Sequence, residues 1–402
     1  MLRSAWHRPS VDNGCLSPLY ASGFRFAKVE FVPPNDPPAL SRTTPELANE
    51  VRVAIAPNAA VDMDVLDAAI RGWSANTRRA FRSDLYLWAD WCHQAGIAPL
   101  AATPKLVAGW IRALAGLDEK GLRPRKPATI ERYLVHVGWA YRMLGMVDPT
   151  KDPLVTFERR ATRKALGIKQ RQAGGIRYKG DIADLDSPAK GICVTHLLAA
   201  CQRDTMGRRD AVLLRIAYDT GCRRSELVAI DCTHIEGPDS SGAGTLFIPS
   251  SKTDQSSEGE YAYLSPATMR AIAAWRKDAE IRKGPLLRRV YTHFDGSIDR
   301  IGEKALHPNS IALVLRRLAR RAFDKKLLGD MGRSQFERDL KTISSHSIRV
   351  GVAQDNFALG ESLPAIMQSY RWRDPRTVMR YGAKLATKSG ASARMAKRFS
   401  ED

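Results

Sequence analysis

The sequence predicts a mainly α protein in two parts, a helical bundle followed by an α-rich domain that carries a small antiparallel β-sheet. Apolar residues recur at helical spacing through much of residues 76–166. Two short strand-like segments, 245–248 and 260–264, flank a polar turn. A stretch rich in glycine and basic residues, 168–187, separates the two patterns. At 402 residues the chain has room for both parts, each with its own core, and for an extension.

Residues 1–60 mix Pro33, Pro34, Pro37 and Pro38 with glycine and serine and show no sustained period, which predicts a poorly ordered arm. The bundle is expected over 61–167. From Asn76, read as an N-cap, Phe81, Leu85, Trp88 and Cys92 mark one amphipathic helix, with Arg78, Arg79 and Arg82 on its other face. Thr103 and Pro104 open a second helix that buries Val107, Trp110, Ile111 and Leu114. A third, over 127–144, has the stripe Ile130, Tyr133, Leu134, Val137, Tyr141 and Leu144 and stops at Gly145. A basic helix over 152–166 carries Arg159, Arg160, Arg163 and Lys164. The basic linker, 168–187, includes Gly174 and Gly175.

The second domain, 188–402, opens with an apolar helix over 211–219 closed by Gly221, then a short helix starting near Arg223 and carrying Glu226. The two strands and the turn 249–259 read as a hairpin, and Lys252 is the turn's lysine. Helices are expected over 266–282, 309–323, 345–359, 362–370 and 375–381, with an irregular insertion at 284–308. Arg316, Arg317, Arg320 and Arg321 share one of these helices at spacings that let at least two line a row of phosphates. The tail from Gly382 to Asp402 is too short for a domain, and its Leu385, Ala386 and Met395 permit a docking helix.

Lysine and arginine exceed aspartate and glutamate by 20, a surplus that points to a polyanionic partner, nucleic acid above all. Residues 1–60 are nearly neutral, so the charge is no simple basic tail. No apolar run approaches the roughly 20 residues of a spanning helix, so no membrane partner is expected. Cys15, Cys92, Cys193, Cys201, Cys222 and Cys232 form neither close pairs nor a dense framework and read as reduced core thiols. Arg3 and Arg8 precede no apolar h-region, so the expected location is the cytoplasm.

The chemistry is concentrated near the C-terminus. Tyr381 lies downstream of His346 and Arg349 and past Trp372, with Arg223 and Lys252 earlier. A hydroxyl nucleophile, two guanidiniums, an imidazole and an ammonium suit attack on a phosphodiester, which needs charge neutralised on the phosphoryl oxygens and protons moved at both ends. Such a set calls for no metal and no cofactor. Each residue alone has a plainer reading: a core or interface tyrosine, a surface ion pair, a capping histidine, a turn lysine, a packing tryptophan. Tyr370 is the local competitor for the nucleophile.

Thr220-Gly221-Cys222-Arg223-Arg224-Ser225-Glu226-Leu227 resembles the first arginine motif of the tyrosine recombinase (phage integrase) family, and His346-Ser347-Ile348-Arg349 resembles its HxxR motif. Leu363 to Gln368, followed by Trp372, Val378, Met379 and Tyr381, is similar to the Cre branch, in which tryptophan replaces the second histidine of most relatives. The resemblance covers the chain from about residue 70 to its end, including a bundle similar to the family's core-binding domain.

It implies a core-binding bundle and a catalytic domain that close as a C-shaped clamp on duplex DNA. It implies that Tyr381 joins the 3′ phosphate, that Arg223 and Arg349 clamp the nonbridging oxygens, and that Trp372 donates its indole N–H to the same phosphate. Lys252 would be the general acid, His346 the base or hydrogen-bond partner of the nucleophile, and Glu226 would orient the cluster. Arg78, Arg79, Arg82, Arg159, Arg160, Arg163, Lys164, Arg316, Arg317 and Arg320 would meet DNA. The implied partners are double-stranded DNA with inverted-repeat recombination sites and three further copies of the chain, a homotetramer on synapsed DNA. The implied activity is site-specific recombination without metal or ATP, and the sequence holds no GxxxxGK[ST] loop. A telomere resolvase or type IB topoisomerase would share this chemistry, and a noncatalytic DNA-binding regulator could share the fold.

Overall fold

In the computed structural model, which describes residues 44–55, 62–118, 122–167, 172–180, 188–249, 259–295, 297–383 and 390–399, the chain is mostly helical with small antiparallel sheets, as its pattern predicts. It separates into one unit up to residue 170 and a second from 171 onward.

The first unit contains α1 (Thr44–Ile55), α2 (Met63–Arg71), α3 (Ala75–Gln94), α4 (Pro104–Ala115), α5 (Pro127–Met143) and α6 (Pro153–Leu166). Their starts follow local chemistry. Thr103 caps α4 by accepting from Leu106 N–H, and Asp152 caps α6 by accepting from Leu154 N–H. At α3 the cap is Ser74, which accepts from Thr77 N–H, so Asn76 falls inside the first turn and instead accepts from Arg79. Phe81, Trp88, Trp110, Leu114, Val137 and Tyr141 fill the core. α1 corrects the expectation of an unstructured arm to residue 60: Val51, Ala54 and Ile55, at helical spacing beyond the prolines, are buried in that core. The rest of the arm lies outside the described residues.

The second unit begins with α7 (Val194–Ala200), α8 (Thr205–Thr220) and α9 (Arg224–Val228). The sheet strands β1 (Ile235–Glu236), β2 (Gly244–Ile248) and β3 (Glu260–Leu264) follow, then α10 (Pro266–Asp278). After the strands β4 (Arg288–Thr292) and β5 (Ile298–Ala305) come α11 (Ser310–Asp324), α12 (Arg333–Leu340), α13 (Ser347–Leu359), α14 (Leu363–Ser369), α15 (Pro375–Gly382) and α16 (Ala391–Phe399). The sheet order is β1-β2-β3, antiparallel, with Leu246 opposite Ala262 and Ile248 opposite Glu260. The expected irregular insertion is a separate antiparallel hairpin, β4–β5. Its residues are exposed or half-buried on both faces except Val290, so no clean two-residue alternation marks it in the sequence.

Residues 172–180 also differ from expectation. They are no free linker but pack on the second unit: Gly174 N–H donates to Thr342 O at 3.1 Å and Ile176 N–H to Ser347 O at 2.9 Å. A side chain at Gly351 in α13 would place its Cβ 1.9 Å from Ile176 O, so glycine there permits the close approach. Arg177 is buried in an ion pair with Asp355 of α13, whose second oxygen accepts from Tyr178 N–H and Tyr218 Oη. Cys92, Cys193, Cys222 and Cys232 are buried and Cys201 half-buried, all as free thiols. Burial pushes the thiols of Cys92 and Cys201 up to about 12. Cys15 lies outside the described residues.

Candidate active site

α8 ends in a left-handed turn at Gly221, φ +57°, which reverses the chain and sets Arg223 at the N-cap of α9. Glu226, one turn on, accepts from Arg223 N–H at 2.9 Å and from Arg223 Nη1 at 2.7 Å, so one carboxylate fixes both the backbone and the guanidinium. Burial pushes the Glu226 carboxyl up, but Arg223 and Arg371 outweigh it and hold the group below its ordinary value.

His346 occupies the N-cap position of α13 and Arg349 lies in its first turn, which brings both to the positive end of the helix. Arg349 is 2% exposed. Its Nη1 donates to the Gly221 carbonyl, its Cζ lies 4.4 Å from the centre of the Trp372 ring, and its Nη2 is buried with no hydrogen-bond partner. Among the described residues no carboxylate forms an ion pair with it. Burial, and then the Arg223 charge, pull its pKa to about 10, so it stays protonated at neutral pH.

α15 starts at Asp374, which caps Arg376 N–H, and its apolar side carries Val378 and Tyr381 inward. Gly382 lets α15 sit close on α13: a Cβ there would lie 2.6 Å from the Phe357 ring. Gln354 of α13 donates to the Tyr381 carbonyl at 3.3 Å. Tyr381 Oη and His346 Nε2 are 2.8 Å apart, and the Trp372 and Tyr381 ring centres are 6.3 Å apart. Burial, with Arg349 and Arg223 adding to it, pushes His346 down to about 4, so the imidazole is neutral at neutral pH. Burial raises the Tyr381 hydroxyl, and Arg349, Arg380 and Arg223 partly offset that rise.

The structure therefore gathers Arg223, Glu226, His346, Arg349, Trp372 and Tyr381 within one unit. Lys252 lies outside the described residues. The Tyr370 ring packs beside Trp372, 5.7 Å between ring centres, but its hydroxyl accepts from Asn356 Nδ2 at 3.2 Å beside a cavity of about 330 Å³ shared with Tyr178, Tyr218 and Asp355. Three residues outside the expected set also belong here. Gln354 is one, and Glu260 of β3 and Arg371 are the others, with Arg371 buried between Glu226 and Glu260. Arg371 adjoins Trp372 in sequence, yet nothing in the spacing signals that its side chain turns inward.

The basic residues expected on DNA divide. Arg316 donates to the Ile343 carbonyl at 2.7 Å and Arg317 pairs with buried Asp210, so these two serve the fold, whereas Arg320 is exposed. Arg159 pairs with Glu131, while Arg160, Arg163 and Lys164 are exposed along α6. Arg78 donates to the Trp73 carbonyl at 3.2 Å, Arg79 is exposed, and Arg82 lies 5.7 Å from the Tyr86 ring centre.

Comparison with known proteins gives a consistent set. The model of the phage integrase family matches residues 193–388. An integrase/recombinase xerD homolog from Selenomonas ruminantium is 25% identical over 317 residues, covering 76% of this chain and 81% of the relative. Recombinase cre of Escherichia phage P1 is 26% identical over 335 residues, covering 81% and 89%. Among solved structures, XerH site-specific recombinase bound to palindromic difH substrate, a post-cleavage complex, aligns with a TM-score of 0.52 at 11% identity over 89% of this chain and 95% of that one. The Tn1549 transposon integrase in complex with transposon right end DNA aligns with a TM-score of 0.51 at 14% identity, covering 84% and 99%.

Proposed function

We propose that this chain, whose residues 193–388 match the phage integrase family, is a DNA strand-transfer enzyme that breaks and rejoins duplex DNA at specific sites through a covalent link to Tyr381. The observation that carries this reading is the buried Arg349 guanidinium, without a carboxylate partner among the described residues, in a cluster where the Tyr381 hydroxyl is hydrogen-bonded to His346. A buried cation is costly unless an anion meets it. A scissile phosphate is such an anion.

Arg349 and Arg223 take the nonbridging oxygens, where planar guanidiniums form paired hydrogen bonds, and the Trp372 indole N–H supplies a further donor. Neutral His346 accepts the Tyr381 proton at Nε2 as the phenol oxygen attacks phosphorus. A phosphate seated between the arginines screens their charge from His346 and makes it the stronger base. The P–O5′ bond breaks, Lys252 gives its proton to the leaving oxygen, and a 3′-phosphotyrosine and a 5′ hydroxyl result. The reverse attack by a 5′ hydroxyl from a second strand restores the phosphodiester, so bond count is conserved and no nucleotide is consumed.

The first unit acts as the core-binding domain, with exposed Arg160, Arg163 and Lys164 on DNA phosphates, and Arg320 does the same for the second unit. Four copies assemble on two inverted-repeat sites in the cytoplasm. No helix among the described residues is long and apolar enough to cross a membrane.

The test uses nicked duplexes bearing candidate inverted repeats, resolved on denaturing gels. Wild type accumulates a covalent protein–DNA adduct; Tyr381→Phe forms none while its DNA affinity stays within about twofold. An adduct that persists in the Phe variant refutes the assignment.

A further inference from the structure

We propose that Arg371 is a positioning residue for the phosphate clamp, acting on Arg223 through Glu226; this rests on the reading of Arg223 as a phosphate ligand.

Arg371 is 5% exposed and has φ +58°, a left-handed backbone that glycine adopts freely and that strains another residue. Its side chain is a long cation in a buried place, a second cost. Both are met by what the side chain reaches. Nη2 lies 3.6 Å from Glu226 Oε2 and donates to Cys222 Sγ at 3.4 Å, and Nε lies 3.5 Å from Glu260 Oε2. Glu226 is the carboxylate that holds Arg223 by two hydrogen bonds. The Glu226 oxygen nearest Arg371 is the one that accepts from the Arg223 backbone, and Glu260 anchors the far side of Arg371 to β3.

The electrostatic consequence is specific. A carboxylate paired with Arg223 alone would neutralise it and weaken its pull on a phosphate. With Arg371 sharing Glu226, that carboxylate keeps its geometric hold on Arg223 while its charge is divided between two cations. Glu260 is shared in turn between Arg371 and Arg373, whose Nη2 lies 3.9 Å from its Oε1, so three guanidiniums meet two carboxylates and positive charge remains in surplus beside the phosphate clamp. The contacts from Arg371 to the two carboxylates exceed hydrogen-bond length, and its Nε and Nη1 make no hydrogen bond. It acts by charge and position, not by a tight fork.

A merely structural arginine would affect cleavage of every substrate alike. A clamp residue would not, because a methylphosphonate at the scissile position replaces one charged nonbridging oxygen with a methyl group and removes the charge the clamp neutralises. Single-turnover cleavage is compared on phosphodiester and methylphosphonate duplexes, and on a duplex with sulfur at the bridging 5′ position, which relieves the need for a general acid. Arg371→Gly accepts the left-handed backbone without strain, and Arg371→Lys keeps the cation but cannot serve both carboxylates.

On the phosphodiester, Arg371→Gly loses about 10- to 100-fold in cleavage rate and Arg371→Lys somewhat less. On the methylphosphonate both fall within about threefold of wild type, as Arg223→Ala also does, and bridging sulfur restores neither. Equal loss on all substrates, or rescue by sulfur in place of methylphosphonate, overturns the proposal. If Arg223→Ala itself is not rescued by methylphosphonate, the clamp reading of Arg223 fails instead. Should Arg371→Gly not fold, Arg371→Lys decides between the same outcomes.

Discussion

Each unit sets a histidine beside arginine, His136 buried and His346 half-buried, and the two clusters balance charge in opposite ways. In the first unit, His136 Nδ1 lies 2.6 Å from Asp84 Oδ2, and the other oxygen of that carboxylate accepts from Arg132 at 2.9 Å. In the second, His346 has a phenol for a partner, and the charges around it are the guanidiniums of Arg349 and Arg223. The first cluster is closed by its own acid; in the second, Glu226 pairs with Arg223, but among the described residues no carboxylate pairs with Arg349. The lesson is that residue types alone do not distinguish a structural polar cluster from a reactive one. The presence or absence of the countercharge does.

The sharpest way to break the comparison is to remove the unbalanced cation. Arg349→Met lowers single-turnover cleavage by about 10²- to 10³-fold, while its Tm stays level or rises, since a costly buried charge gives way to apolar packing. A lower Tm together with intact cleavage would show that Arg349 is as structural as Arg132. The converse change, Asp84→Ala, lowers stability in urea melts by roughly 3 kcal/mol because two cationic or polar partners lose their buried acceptor. Its cleavage rate per folded molecule stays unchanged, and a specific loss of cleavage would blur the division. The smallest effect is on pH dependence. The folded pKa of His346 lies near 4, below its ordinary 6.5. Its contribution to stability is therefore complete above pH 6.5, falls away as pH drops toward 4, and levels off below. The slope is at most about 1.4 kcal/mol per pH unit. Denaturant midpoints of His346→Gln lack that component, and identical slopes in variant and wild type would place the titration elsewhere.

Much of this was legible in the sequence because capping and periodicity are local. Thr103-Pro104, Asp152-Pro153, Gly145 and Gly221 mark their helix ends where the backbone places them. The residues of the site could be named because they fall in ordered motifs, although they meet only after the chain has folded. What escaped depends on long-range partners. That Arg317 is claimed by Asp210 is decided by an ion pair between α11 and α8, 107 positions apart in sequence. Arg371 points inward because its backbone is left-handed, a state that composition does not encode for arginine. The β4–β5 hairpin escaped because a strand pair exposed on both faces has no apolar alternation to display.

The fit of residues 172–180 along α13 also bears on protein engineering. Chimaeras that graft a different first unit onto the second are naturally spliced within the glycine-rich connector. Yet Ile176 and Arg177 are partners of the helix that presents Arg349. A crossover placed after them would import foreign neighbours for that helix, whereas a junction before residue 172 leaves the catalyst with its native scaffold.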